Sequence, residues 1–275
     1  ESIPQLTVIE QKWDIFHPLV QYKIVATFNK AHIIKLLGQE PIEDSMESPD
    51  NSTEGENLVS LFPLPSTVFY PNTLLPLHIF ESRYRQMVTR ALEGDSQIGM
   101  VLLKPGWEND YYGHPAIVSI GCMGKIKKHS KLPEGKYNIL LCGLHRFRIL
   151  KEVQGGVYRR ARVELLQEVN DCDLSSKTSP IENHVIEHLK QYLRHIPEGE
   201  KIEQDLNLET CATLASLIDR IAYSFDPSIE EKQAFLEEQD VAKRADILHS
   251  MIDFKLQLTQ LSRKFTGSSA DPRMN

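Results

Sequence analysis

The chain has 275 residues, of which 41% are apolar, 25% charged and 8% aromatic, with a net charge of −7. That length can bury a real core, and no stretch approaches the roughly 18 uninterrupted apolar residues of a membrane helix, so a fibrous, unstructured or helical membrane protein is excluded. The charge is unevenly spread: residues 1–57 carry four basic and ten acidic side chains, 58–170 fifteen and nine, and 171–275 twelve and nineteen. A basic middle between acidic flanks points either to an anionic partner or to attraction within the chain.

Residues 1–15 show no basic cluster followed by an apolar run, so no secretion signal is read there. Val20, Tyr22, Ile24, Ala26 and Phe28 alternate with mostly polar neighbours, which predicts a strand, and Ala31 to Leu37 before Gly38 predicts a short helix. Residues 41–57 are acidic and rich in Ser and Pro, a composition that cannot offset its ordering entropy, so a disordered linker is expected.

From Leu58 the pattern turns to strands. Leu61 to Pro65 and Leu74 to Ile79 predict two, and Pro63, Pro65, Pro71 and Pro76 each remove an N–H and force a bend. Phe80, Tyr84, Met87, Val88, Ala91 and Leu92 fall at helical spacing, with Gly94 at the expected stop. Short strands are predicted over 98–104, 117–127, 137–150 and 158–166, and the first of these connects to the second through a turn-rich loop, 104–115. Ile139, Leu141, Phe147 and Ile149 are expected on one face of the third, with Arg146 and Arg148 on the other. After Val169 the period becomes helical. Ile181, Val185, Leu189, Tyr192 and Ile196 form one stripe, and Leu208 to Phe225 forms another. Ser228 is placed to cap Ile229 to Glu237, and a last helix is predicted from Val241 to Phe265 before a loose tail from Gly267.

The resulting organisation is an N-terminal extension (1–57), a β-rich unit (58–170), a helical subdomain (171–266) and a tail (267–275), in an α+β fold. Four well-separated cysteines, Cys122, Cys142, Cys172 and Cys211, form no CxxC pair, which argues against a disulfide scaffold or a cysteine zinc site and suits the cytoplasm.

Several ordered motifs resemble the N-terminal, substrate-binding domain of Lon proteases. They are Phe62-Pro63-Leu64-Pro65, Phe69-Tyr70-Pro71, Leu75 to Arg85, Gly99-Met100-Val101, Gly121 to Ile126, Leu132 to Tyr137, Gly143 to Ile149 and Ser228 to Gln233. The resemblance runs from about Leu58 to Leu261 and leaves residues 1–57 without a counterpart. It implies a PUA-like pseudo-barrel followed by a helical bundle. It also implies non-catalytic binding of unfolded or specific protein segments, as a quality-control adaptor working with a protease or chaperone, and no cofactor. Gly124-Lys125 is the nearest approach to a Walker signature, but Ser119 replaces its first Gly and Ile126 its Ser/Thr, and no protease segment follows, so no enzyme activity is expected.

Three constellations compete for a role. Trp107, Tyr111 and Tyr112 stand in the 104–115 loop, where aromatics either anchor a partner or fold back to cap the barrel. Arg146, Arg148, Arg159, Arg160 and Arg162, joined by Lys125, Lys127, Lys128 and Lys131, would form a phosphate-binding face if the module bound RNA, and a solvated face pairing with acidic helices otherwise. His184-Val185-Ile186-Glu187-His188 matches the H-x-x-E-H pattern of inverted zinc proteases, yet Glu187 lies opposite the apolar stripe and no third ligand is apparent. Binding of protein segments through the aromatic loop is the reading taken forward, RNA binding its alternative; no metal and no membrane partner are expected.

Overall fold

The computed structural model describes residues 57–110, 113–174, 180–197, 199–206, 208–225 and 227–267. The strand, helix and linker predicted before Leu58 therefore lie outside the described residues, apart from Asn57, which opens the first strand. Six strands follow: β1 (Asn57–Leu64), β2 (Leu74–Ile79), β3 (Gln97–Leu102), β4 (Ile120–Lys131), β5 (Tyr137–Val153) and β6 (Arg160–Leu165). Helix α1 (Ser82–Leu92) lies between β2 and β3. Ser96, at φ 61°, takes the left-handed conformation after it, where Gly94 had been expected to act.

The sheet order is β2-β5-β4-β3-β1-β6, and β6 also pairs with β5. Five strands thus close into a barrel, and β2 lies outside it. The long β5 changes partner along its length: Tyr137–Cys142 pair with β2, Phe147–Val153 with β6. Val59, Leu61, Val101, Met123, Phe147, Ala161 and Val163 fill the barrel. The Phe147 ring fits because a Cβ on Gly121 would stand 2.3 Å from the Met100 carbonyl oxygen and 2.8 Å from that ring.

A larger apolar core lies outside the barrel wall. Ile98, Met100, Cys122, Ile139 and Leu141 face it from the sheet, and α1 and the later helices cover it. The predicted common face of Ile139, Leu141, Phe147 and Ile149 is split. Gly143 opposes Gly124 and His145 opposes Met123, so Leu144 is an extra residue in β5. A one-residue bulge exchanges the faces of every residue beyond it. Ile139 and Leu141 consequently point to the outer core, Phe147 and Ile149 to the barrel, and Arg146 replaces them on the outer side.

The helical part comprises α2 (Pro180–Leu193), α3 (Gly199–Leu206), α4 (Leu214–Ser224), α5 (Ile229–Glu237) and α6 (Val241–Gly267). Ser228 caps α5 as predicted, in a reciprocal box with Glu231. The predicted stripe over 208–225 is divided: 208–210 form a 3₁₀ turn, and α4 begins only after Thr213, which caps it together with Ser216. The Asp171 carboxylate also accepts from the Ala215 N–H at 2.9 Å, so two side chains satisfy the start of a helix buried from Leu214 to Ala222. No described helix is long and apolar enough to cross a membrane.

Candidate functional site

The loop between β3 and β4 is closed at its base by the Lys104 N–H on the Ala116 carbonyl (2.8 Å) and the Val118 N–H on the Leu102 carbonyl (3.0 Å). Gly106, at φ 89°, turns the chain left-handed into a 3₁₀ turn from Trp107 to Asp110. Asp110 then holds the return: its carbonyl accepts from the Gly113 N–H (2.8 Å) and its carboxylate from the His114 N–H (3.1 Å). Trp107 is half-buried. Tyr111 and Tyr112 lie outside the described residues.

A second element stands at the same end of the barrel. β3 and β1 run parallel and end there, β4 and β6 begin there, and β5 ends there. The β5–β6 hairpin is therefore the loop's neighbour, and Arg159 joins the two. Its Nη1 donates to the Pro115 carbonyl at 2.6 Å, while Nε and Nη2 hold the Glu152 carboxylate at 2.8 and 2.7 Å. Val157 at the hairpin tip is 58% exposed. The loop that carries half-buried Trp107 is thus bonded to the hairpin whose tip exposes Val157, and an exposed apolar tip of this kind suits another chain's apolar side chains.

Arg146 does not share an exposed face with the other arginines. Arg146 is buried beneath the helical subdomain, a consequence of the Leu144 bulge, and is removed from the group proposed for RNA. Arg148 pairs with Glu164 (3.1 Å), Arg159 with Glu152, and Arg160 donates to the Gly155 carbonyl (3.5 Å). Arg162 faces Leu58 and Lys151 in the strand register.

Arg146 instead organises the junction of the two subdomains. It donates to both oxygens of Asp219, to Glu168 (2.6 Å) and to the Leu236 carbonyl (3.0 Å). Arg244, also buried, donates to the other oxygen of Glu168 (2.5 Å) and to the Glu238 carbonyl (3.0 Å). Burial opposes the Arg146 charge, but the Asp219 carboxylate more than offsets it, so its pKa is raised and the ion is secure. Further bonds cross the same junction. The Tyr70 hydroxyl donates to the Lys232 carbonyl (3.1 Å), Gln233 to the Ile120 carbonyl (3.1 Å) and the Tyr223 hydroxyl to the Leu74 carbonyl (2.9 Å). Burial pushes the Tyr223 hydroxyl up to about 12, which keeps it a donor.

His184 and His188 meet two residues of α6 that the sequence reading did not nominate. His188 Nδ1 lies 2.7 Å from His249 Nδ1, and His188 Nε2 lies 2.8 Å from Asp253 Oδ1. Both nitrogens of His188 are thus engaged, and among the described residues no group of three or more His, Cys, Asp or Glu is arranged to hold a metal. Glu187 is exposed, 3.9 Å from Lys190. The signal was present as a second i, i+4 pair, His249 and Asp253, but sixty residues of sequence separate it from the first. The four cysteines are free thiols, and burial pushes Cys122, Cys142 and Cys211 up, away from reactivity.

Residues 59–253 match the sequence model of the ATP-dependent protease La (LON) substrate-binding domain. The chain is 29% identical over 222 residues to Lon protease 2 of Myxococcus xanthus, covering 79% of this chain and 26% of that protein. It is 26% identical over 221 residues to the Lon protease of Escherichia coli K12, covering 79% and 27%. It spans about a quarter of the length of these relatives. The fold is shared with the Lon N-terminal domain protein from Xanthomonas campestris, at a TM-score of 0.52 and 22% identity over 70% of this chain and 98% of that one. It is shared also with the N-terminal domain of Mycobacterium avium complex Lon protease, at 0.55 and 18% over 72% and 98%. With the match covering most of the barrel and of the helical bundle, including all the ordered motifs, the chain belongs to the LON substrate-binding domain family.

Proposed function

We propose that the chain recognises segments of other proteins by binding alone, and that the recognising surface is the barrel end bearing Trp107, Tyr111 and Tyr112. Membership of a substrate-binding family supports protein substrates as the ligand class. The observation that carries the location is the clamp of Arg159 on Pro115, which fixes the Trp107 loop beside the exposed Val157. A loop held at its return by this bond offers contact area at a reduced ordering cost. The module acts in the cytoplasm as a quality-control adaptor, delivering unfolded or selected segments to a protease or chaperone, and needs no cofactor.

The test is titration of a fluorescent unfolded peptide against single alanine variants at positions 107, 111 and 112, with thermal melts on the same proteins. An anchoring aromatic is worth ~2 kcal/mol or more, so affinity should fall about 30-fold at an unchanged melting temperature. A large fall in melting temperature with unchanged affinity per folded molecule would make the loop a cap and remove it as the contact site.

A further inference from the structure

We infer that the contact between α2 and α6 is a proton-sensitive clasp, held by a hydrogen bond between the uncharged imidazoles of His188 and His249 with the His184 ring packed beside them, and opened by acid. The inference is independent of the reading of the Trp107 loop. His184 and His188 share one face of α2, and His249 and Asp253 one face of α6. The ring centroids of His184 and His249 are 4.4 Å apart, those of His188 and His249 4.9 Å, and those of His184 and His188 6.3 Å. Buried beside them are Val185 and Leu189 of α2 and Leu248 and Ile252 of α6.

Hydrogen-bond chemistry sets the charge state of the closed form. The Asp253 carboxylate accepts, so His188 carries a hydrogen on Nε2, and in the uncharged ring its Nδ1 is then bare. His249 Nδ1–H then donates to that bare nitrogen across 2.7 Å. A first added proton can sit on His249 without breaking this bond. A second, on His188, sets one N–H against another at contact distance. The groups that face His249 are these two histidines of α2 and Asp246 and Asp253 of α6. The other charged residues of α2 are Glu182, Glu187 and Lys190, and Lys190 lies 3.9 Å from both Glu187 and Glu203 of α3.

Partial burial lowers the His249 pKa, His184 and His188 lower it further, and Asp246 and Asp253 do not restore it. The open or unfolded chain therefore binds more protons than the closed one. Stability present above the ordinary histidine range is lost as pH falls through it. Because His188 has no nitrogen to spare, the ligand this arrangement takes is a proton.

Hydrogen exchange on the full chain at about pH 7.5 and about pH 5.5, corrected for intrinsic rates, tests the clasp across the histidine range. Protection should fall in residues 180–193 and 241–253 on acidification while the barrel strands hold theirs, and His249→Leu should abolish that difference. An equal loss throughout the chain, or the same loss in His249→Leu, overturns the inference. Titration of the imidazole resonances in the unaltered protein decides the matter if that variant does not fold. His249 must titrate below free histidine, and titration at or above it refutes the clasp. Stabilisation of the unaltered protein by added Zn²⁺ at about pH 7.5 would make the cluster a metal centre and overturn it equally.

Discussion

Arg146 of β5 holds Asp219 of α4 at two points, Nη2 to Oδ1 at 2.8 Å and Nη1 to Oδ2 at 3.2 Å, with side chains 1% and 0% exposed. A planar fork meets a carboxylate edge-on, which is the geometry that best repays desolvation of two charges. The pair ties the barrel wall to the most buried helix. The two subdomains therefore share a buried, hydrogen-bonded junction.

Removing one partner should expose that dependence. Arg146→Met leaves buried Asp219 facing only Arg244 Nε at 3.6 Å, and Asp219→Leu leaves Arg146 with Glu168 as its one counter-charge, so each should cost ~3–5 kcal/mol in urea denaturation. The double variant should recover much of the loss, because replacing both charges by apolar groups costs less than orphaning one. Equal and additive losses would mean that the pair does not interact.

Gly121→Ala should be as damaging as a core truncation despite adding a single methyl. The new Cβ meets a backbone oxygen and the Phe147 ring, and forced overpacking costs ~1–3 kcal/mol or more. Phe147→Ala should cost ~3–5 kcal/mol. Denaturant midpoints measure both, and an unchanged midpoint in Gly121→Ala would show that the barrel interior yields.

Ser228→Ala removes the acceptor for the Glu231 N–H at 3.2 Å and should cost ~1 kcal/mol. Ser228→Gly should cost only a few tenths of a kcal/mol, because glycine is itself tolerated at a cap. Thermal melts of the two variants distinguish a lost cap from a general effect on the turn.

Salt separates protein binding from nucleic-acid binding. Phosphate contacts release counterions and should weaken by ~10-fold or more between low and moderate salt, whereas apolar contacts should hardly respond. Peptide affinity is expected to be nearly flat with salt and unchanged in Arg148→Glu. Tight RNA binding lost in that exposed variant would displace the protein-binding reading. The same result in an Arg146 variant would carry no such weight, since that change breaks the subdomain junction.

Much of the fold was legible because its signals are local. The capping box at Ser228 spans four residues, and the strands of the barrel announce themselves by alternation and by turns. What escaped either lacks the usual local signature or depends on partners distant in sequence. Thr213 caps α4 with Ser216 rather than Glu or Gln, so the usual spacing signature is missing and the helix start was read six residues early. The bulge at Leu144 leaves alternation in β5 intact while exchanging the meaning of its two faces, which is why Arg146 was read as surface. His249 became visible only when α6 folded back against α2. Of the candidate site, the loop and its aromatic content could be read from sequence, but the Arg159 clamp and the Val157 neighbour follow from barrel closure.

That closure has a consequence for synthesis. β1 pairs with β6 across a hundred residues, Leu58 opposite Arg162, and the far half of β5 has β6 on its free side. Until β6 leaves the ribosome, two strand edges and the interior side chains Val59, Leu61 and Phe147 remain open to any neighbouring chain. The nascent module is therefore for a time a client of the same unfolded-segment chemistry that it is proposed to recognise once closed. Slowing translation just before Arg160 should raise aggregation, whereas a pause after Leu165 should not.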